Sequence, residues 1–156
     1  METTRHVTAT VYVVNDGATA LHEHKRHGIH IPPGGHVDRD ELPHEAGLRE
    51  VREEMGHEAT LLDEPDAVAG QGVRALPDPR RHLLYDINAY DGAVGHQHID
   101  LIYYATVPDR RIEPASGEVD SDAWAWYTPS ELRAAGIQAD VVALGTDSIA
   151  AVRAVS

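Results

Sequence analysis

The stretch GGHVDRDELPHEAGLREVREEMGH, residues 34–57, carries the most informative pattern in the chain. From Leu42 to Met55 it reads as a helix, with Leu48, Val51 and Met55 forming an apolar stripe that can pack on a sheet. Glu50, Glu53 and Glu54 stand at i, i+3 and i+4 and fall within an arc of about 100°. Like charges at that spacing cost a helix a few tenths of a kcal/mol, so a helix needing only solubility would alternate its signs. A crowded carboxylate face is stabilised by a hard divalent cation, and Mg²⁺ prefers such oxygen ligands while keeping waters and substrate phosphates in its shell. Arg49, four residues before Glu53, can pair with it and fix its orientation. The helix is entered through Gly34-Gly35, where backbone without a Cβ can approach a ligand or metal closely.

Outward from this stretch the chain reads as alternating strands and turns. Arg5–Val14 alternates and then runs apolar, Asn15-Asp16-Gly17 is a hairpin signal, and Ala18–His24 is the returning strand. Ile29–Ile31 is a short strand closed by Pro32-Pro33-Gly34-Gly35. Strands follow at Ala59–Asp63, His82–Tyr90, Ile99–Val107 and Ala123–Tyr127, with a Gly- and Pro-rich loop over 70–79. Pro129–Ala135 opens a short helix capped by Thr128 or Ser130, and Asp140–Val155 closes the chain as an amphipathic helix. Strands around one central and one terminal helix imply an α/β layered fold with a mixed sheet, and no linker divides residues 1–156 into more than one domain.

Composition narrows the partners. The 156 residues carry a formal net charge of −13, which repels nucleic-acid backbones and anionic membranes, and no apolar run reaches membrane-spanning length. A phosphate substrate would be repelled too, so a metal must supply local positive charge. There is no cysteine, which excludes disulfides and thiolate metal sites, and Met1-Glu2-Thr3-Thr4-Arg5 lacks a signal-peptide pattern; both fit a cytoplasmic protein. Lys25 is the only lysine. Excess acid with almost no lysine suits high salt, where screening shortens to about 3 Å in molar salt; drift of a GC-rich genome toward Ala, Arg and Asp produces the same bias.

The spacing within residues 35–56 resembles the Nudix box: Gly, five residues, Glu, seven residues, then Arg-Glu-aliphatic-x-Glu-Glu-x-Gly-aliphatic. Gly35, Glu41, Arg49, Glu50, Glu53, Glu54 and Gly56 occupy every fixed position. At a frequency of about 7% for each, a chance match is on the order of 10⁻⁸ per starting point. The last aliphatic position is His57, which touches packing more than chemistry, and Leu42 stands where a capping residue is common.

The resemblance implies an α/β/α sandwich with a mixed sheet between helices. It also implies a Mg²⁺-dependent hydrolase, with Mn²⁺ as substitute, that cleaves a diphosphate linkage in a nucleoside diphosphate joined to another moiety. Glu50, Glu53 and Glu54 would hold metal with a carbonyl of Gly34 or Gly35, Glu53 or Glu50 would act as base, and Arg49 would orient the carboxylates. Glu41, Gly34 and Gly56 would shape the loop-helix-loop. The partner implied is a small-molecule diphosphate, with no nucleic acid and no membrane; a homodimer follows only from family habit. The fold also hosts non-enzymatic metabolite-binding modules, but those often lose box glutamates, and all are present here. A decapping enzyme needs a basic RNA-binding surface, and the isoprenoid isomerase relatives use a cysteine; this chain has neither.

Beyond the box, Glu118 lies in a loop six residues before Trp124, where some relatives place another metal-binding or basic carboxylate. Its plain reading is a solvated loop acid. Among 11 histidines, His22 and His24 share a strand face, as do His96 and His98. His96-Gln97-His98-Ile99-Asp100 resembles a stretch that precedes a core strand in some relatives, placing His96 or His98 near substrate phosphates, against a plain reading as edge-strand histidines. A histidine zinc site lacks a recognised spacing. Arg81, with Arg80, can grip a phosphate or merely solvate its loop. Trp124 and Trp126 read as core rather than stacking residues, and His30 stands where many relatives place a tryptophan.

Overall fold

The computed structural model describes residues 2–24, 26–90 and 92–156; Met1, Lys25 and Asp91 lie outside them. Strand β1 (Thr4–Asn15) is the axis of the molecule. Its odd residues Ala9, Val11 and Val13 pack into one cluster with Val51 and Met55. Its even residues Tyr12 and Val14 pack into a second cluster with Leu132, Val141 and Ile149. A strand buried on both faces loses the polar alternation of a half-exposed one, which is why VYVV runs apolar.

Around β1 the sheet is mixed. β2 (Ala18–His24) returns antiparallel through a two-residue turn, with Val14 opposite Thr19. Asp16 and Gly17 both take positive φ, 45° and 77°, as the tight hairpin predicted at Asn15-Asp16-Gly17 requires. β3 (Ile29–Ile31) adds to β2, and β4 (Gly34–His36) pairs antiparallel with β1, placing Gly34, Gly35 and His36 opposite Thr10, Ala9 and Thr8. That fourth strand was expected to be loop, because its glycines hide a strand from any side-chain pattern. On the far side β9 (Ala93–Thr106) runs parallel to β1, paired with β8 (Arg81–Tyr90) and β5 (Thr60–Leu61). A small hairpin of β6 (Ala69–Gly70) and β7 (Val73–Arg74) overlaps the start of the loop expected over 70–79. β10 (Trp124–Tyr127) closes the β2 edge.

Helix α1 (Pro43–Met55) covers one face of the sheet. α2 (Pro129–Ala134) and α3 (Ala139–Ala154) supply apolar residues to the cluster on the other. The result is the α/β/α sandwich with a mixed sheet that the sequence implied. The stripe of α1 differs in one residue: Gly47, Val51 and Met55 are buried, and Leu48 is only half-buried. Gly47 lets the helix approach β1 closely, since a Cβ there would stand 2.8 Å from Val11 Cγ2. Among the described residues no helix is long and apolar enough to cross a membrane.

Candidate active site

The exposure of the three helix carboxylates follows from their angle to the packed stripe. Measured from Val51 around the helix, Glu54 lies at about 60°, Glu50 at about 100° and Glu53 at about 160°. Glu54 therefore sits beside the sheet, and its carboxylate accepts the Gly34 N–H at 2.9 Å. Glu50 comes next, its side chain 16% exposed, and Glu53 is outermost at 42%. Glu50 touches Gly35 so closely that a Cβ on that residue would collide with its carboxylate, while the same Cβ at Gly34 would strike Ala9 O and Thr10 Oγ1. Both glycines are explained by close approach, Gly35 to the Glu50 carboxylate and Gly34 to the neighbouring strand β1.

Arg49 ties the group together. Its guanidinium donates to both Glu41 oxygens at 2.6 and 2.9 Å, to Glu50 at 3.0 Å, to Glu53 at 3.1 Å and to the His36 carbonyl at 3.1 Å. Five donors in a rigid fork suit such a hub, and a lysine could not replace it. The Glu41 carboxylate also accepts the Asp38 N–H, and Arg49 holds its pKa below the usual range. At the helix end Gly56 adopts the left-handed conformation, φ 78°, and its N–H bonds to the Arg52 carbonyl. His57 behind it is buried and meets the Arg111 carbonyl at 2.5 Å, so the polar residue at an aliphatic position is satisfied by a loop carbonyl. The helix start is held by Glu45, whose carboxylate accepts the Leu42 N–H at 2.9 Å; the Leu42 side chain contributes no cap.

One arginine does not offset the acid present. Burial pushes the Glu54 carboxyl up to about 8, and the charges of Glu50, Glu118 and Glu53 add to the rise. Glu50 is raised by burial and by Glu53 and Glu118, against the pull of Arg49. Glu118 therefore belongs to the same electrostatic neighbourhood. Its loop is pinned to the helix end, with Ala115 N–H donating to the Glu53 carbonyl and Glu118 N–H to the Ala115 carbonyl. An oxygen-only set carrying surplus negative charge beside approachable backbone is the donor chemistry of a hard divalent ion.

Gly34 and Gly35 also border a pocket of about 450 Å³ that opens on the α3 side. Ile29, Ile31, Ile87 and Ile102 give it apolar walls, with Tyr85, Asp100 and Asp140 as polar points. Asp100 is buried between β1 and β9 and accepts from Thr8 at 3.0 Å and from Thr10 at 2.8 Å; burial raises its pKa despite those bonds. His98 and His36 line the rim, and burial lowers the His98 pKa, with neighbouring imidazoles adding to the effect. His96 stands beside His98 rather than among the lining residues, with ring centroids 5.1 Å apart.

Arg81 departs from its expected place. It is absent from the pocket lining and pairs with Asp147 at 3.7 Å; on strand β8 it stands opposite Ile102, four residues before Tyr85, which stands opposite His98. Arg80 is likewise occupied, by Asp63 at 2.6 Å. Trp124 is buried in the core and Trp126 half-buried against it. His30 lines the pocket, its backbone clamped by Gln138, which donates to the His30 carbonyl and accepts its N–H, both at 2.9 Å. The sequence reading missed Tyr85, Gln138 and Asp140, and no local pattern marks them; it missed His6 and His36 because their companions come from other strands.

Comparison with known proteins agrees with this architecture. The family model for the NUDIX domain matches residues 4–144. A crystal structure of a hydrolase of the NUDIX family from Clostridium perfringens superposes with a TM-score of 0.82 at 32% identity, covering 96% of this chain and 99% of that one. Two others share the fold at lower identity. The mutator MutT protein from Bacillus halodurans has a TM-score of 0.65 at 18% identity, covering 92% of this chain and 82% of that one. The E. coli dihydroneopterin triphosphate pyrophosphohydrolase has a TM-score of 0.59 at 16% identity, covering 92% and 91%. A search of functionally curated proteins gave no match. With its box intact, its sheet and helices in the same arrangement and the family match extending over residues 4–144, the chain belongs to the Nudix hydrolase family.

Proposed function

We propose that this chain is a divalent-metal-dependent hydrolase, Mg²⁺ being the preferred ion and Mn²⁺ a substitute, that cleaves the diphosphate linkage of a nucleoside diphosphate joined to another moiety. The observation that carries the reading is the shared carboxylate face of α1, with Glu54 on the Gly34 N–H, Glu50 against Gly35, and Glu50 and Glu53 joined by the Arg49 guanidinium. Glu50, Glu53 and Glu54 would hold the metal, with Glu118 and a carbonyl of Gly35 as further oxygen donors. A bound divalent ion neutralises phosphate charge and lowers the pKa of a coordinated water.

The chain's own residues supply the rest. Arg49 keeps the Glu50 and Glu53 carboxylates in fixed directions, so little reorganisation is needed when substrate arrives. Glu53, the most exposed of the three and without a second tether, is free to accept a proton from an attacking water, with Glu50 as the other candidate base. The pocket on the far side of Gly34-Gly35 has the size and apolar lining of a small-molecule site, and its isoleucines would receive the nucleoside. His98, and His96 beside it, would face the phosphates.

The test is turnover by the purified chain with Mg²⁺ on dNTPs, ADP-ribose, NADH, sugar nucleotides and dinucleoside polyphosphates. One of these should be cleaved, and Glu53→Gln should lower kcat at least ~10²-fold while the circular dichroism stays that of the parent. Undiminished turnover in Glu53→Gln would remove Glu53 from the chemistry; tight binding of a metabolite with no cleavage would make the chain a binding module.

A further inference from the structure

We propose a second metal site, built from His6, His96 and His98, that takes a borderline transition ion such as Zn²⁺, Ni²⁺ or Co²⁺ and is separate from the glutamate set. Its basis is strand register. β1 and β9 run parallel with Thr4 opposite His96 and His6 opposite His98, and β4 brings His36 opposite Thr8. Residues of one parity on paired strands share a sheet face. His6, His96, His98 and His36 therefore form a patch at the pocket rim, drawn from three strands that lie up to 92 residues apart in the chain. The rings are in contact: His6 lies 4.7 Å from His96 and 6.4 Å from His98 between centroids, and His36 lies 5.1 Å from both His6 and His98.

Each of His6, His96 and His98 offers one ligand atom within 4.8 Å of the other two. A tetrahedral ion with Zn–N bonds near 2.0 Å needs nitrogens about 3.3 Å apart. Closing that gap requires the rings to turn toward one another; His6 is exposed and the other two are half-buried. One ring is already oriented by a hydroxyl. Thr4 Oγ1 donates to the Gly95 carbonyl at 3.3 Å and stands 2.8 Å from His96 Nδ1. In the tautomer whose Nδ1–H donates to this hydroxyl, Nε2 of His96 is left as a bare donor for metal. A ring nitrogen bonded to an outer partner is the usual support of a ligating imidazole.

The ligand chemistry separates the two sites. Imidazole suits Zn²⁺, Ni²⁺, Co²⁺ and Cu²⁺, whereas Mg²⁺ requires hard oxygens. Three protein nitrogens leave a fourth position for water or a substrate oxygen, and the pocket lined by His36 and His98 lies beside it. This site does not depend on the diphosphate reading, since it is defined by binding rather than turnover.

Equilibrium dialysis and calorimetry of the untagged full-length chain with Zn²⁺, in excess Mg²⁺, should show one tight Zn²⁺ per chain that Mg²⁺ does not displace. Co²⁺ in its place should give the intense visible absorption of a low-coordinate ion. His98→Ala and His6→Ala should each weaken Zn²⁺ at least ~10-fold and abolish the Co²⁺ spectrum. Thr4→Val should weaken Zn²⁺ more modestly, and Glu50→Gln should leave it unchanged. Zn²⁺ binding that survives both histidine variants, or that is lost in Glu50→Gln instead, would overturn the proposal, as would the absence of tight Zn²⁺ in the parent chain.

Discussion

The carboxylates of α1 and the histidines of the pocket rim stand on either side of the short strand β4, and they are held in place in opposite ways. The carboxylates are over-determined. Arg49 grips Glu41, Glu50 and Glu53, the Gly34 N–H holds Glu54, and Gly35 is bare so that Glu50 can fit. The histidines are held by strand register, ring contact and, for His96, one hydroxyl. A cluster wired within 22 residues survives in the chain as a spacing; a cluster assembled by register does not. The carboxylate set should therefore be intolerant of small backbone changes, and the histidine set should be tuned by single side chains.

The largest effect should come from Gly35→Ala. The added Cβ meets the far end of a side chain rather than backbone, so the fold survives and Glu50 is what moves. Displacing a charged group by about 1 Å at a reacting centre can cost 10²-fold in rate. The expectation is a fall of at least ~10²-fold in kcat/KM with native circular dichroism and unchanged Zn²⁺ affinity at the histidines. Wild-type turnover in Gly35→Ala would show that the fit between β4 and Glu50 is incidental.

Acid separates the two regions in the metal-free protein. Glu54 is raised from about 4.5 in the unfolded chain to about 8 when folded. The folded form therefore keeps a proton that the unfolded chain has released. Its contribution to stability is whole below about pH 4.5 and is lost as pH rises through about 8. His98 is lowered instead, so its contribution is whole above the ordinary histidine value and is lost as pH falls. Melting of the metal-free chain should show Glu54→Gln gaining on the parent as pH rises from about 5 to about 9. Mg²⁺ should then restore the parent and not the variant. If Glu54→Gln tracks the parent at every pH, the Glu54 carboxyl is not strained by burial.

The uneven legibility of the molecule has the same cause. The helix, its acidic arc and the role of Arg49 as a tether were readable because helical neighbours are sequence neighbours. The hairpin at Asp16-Gly17 was readable because positive φ selects those residues. β4 was not, since two of its three residues have no side chain to display a period. His96 and His98 were visible as a pair, but their meeting with His6 depends on a parallel register that no local rule fixes. Arg81 shows the complementary limit: its neighbour Asp147 lies on α3, far along the chain, 3.7 Å from the guanidinium, where no local pattern marks it.

The smallest effect sharpens what holds α1. Leu42 stands at the N-cap with extended backbone, φ −83° and ψ 150°, but has no oxygen to offer the first turn. A serine there would accept an N–H that is now without a side-chain partner, worth about 0.5–1 kcal/mol in comparable caps. Leu42 is half-buried, so lost apolar contact matches or exceeds that gain. Leu42→Ser should therefore leave Tm level or lower it by about 1–3 °C, on the scaling for a chain of this size, with kcat/KM unchanged. A shift in Tm without a change in rate would mean that β4 and Arg49 alone aim the carboxylates, and that the residue at the cap governs only how firmly the helix begins. A change in rate with the cap would mean instead that the first turn transmits its position to Glu50, about two turns along the helix from Leu42, and the wiring would then be less self-sufficient than its hydrogen bonds indicate.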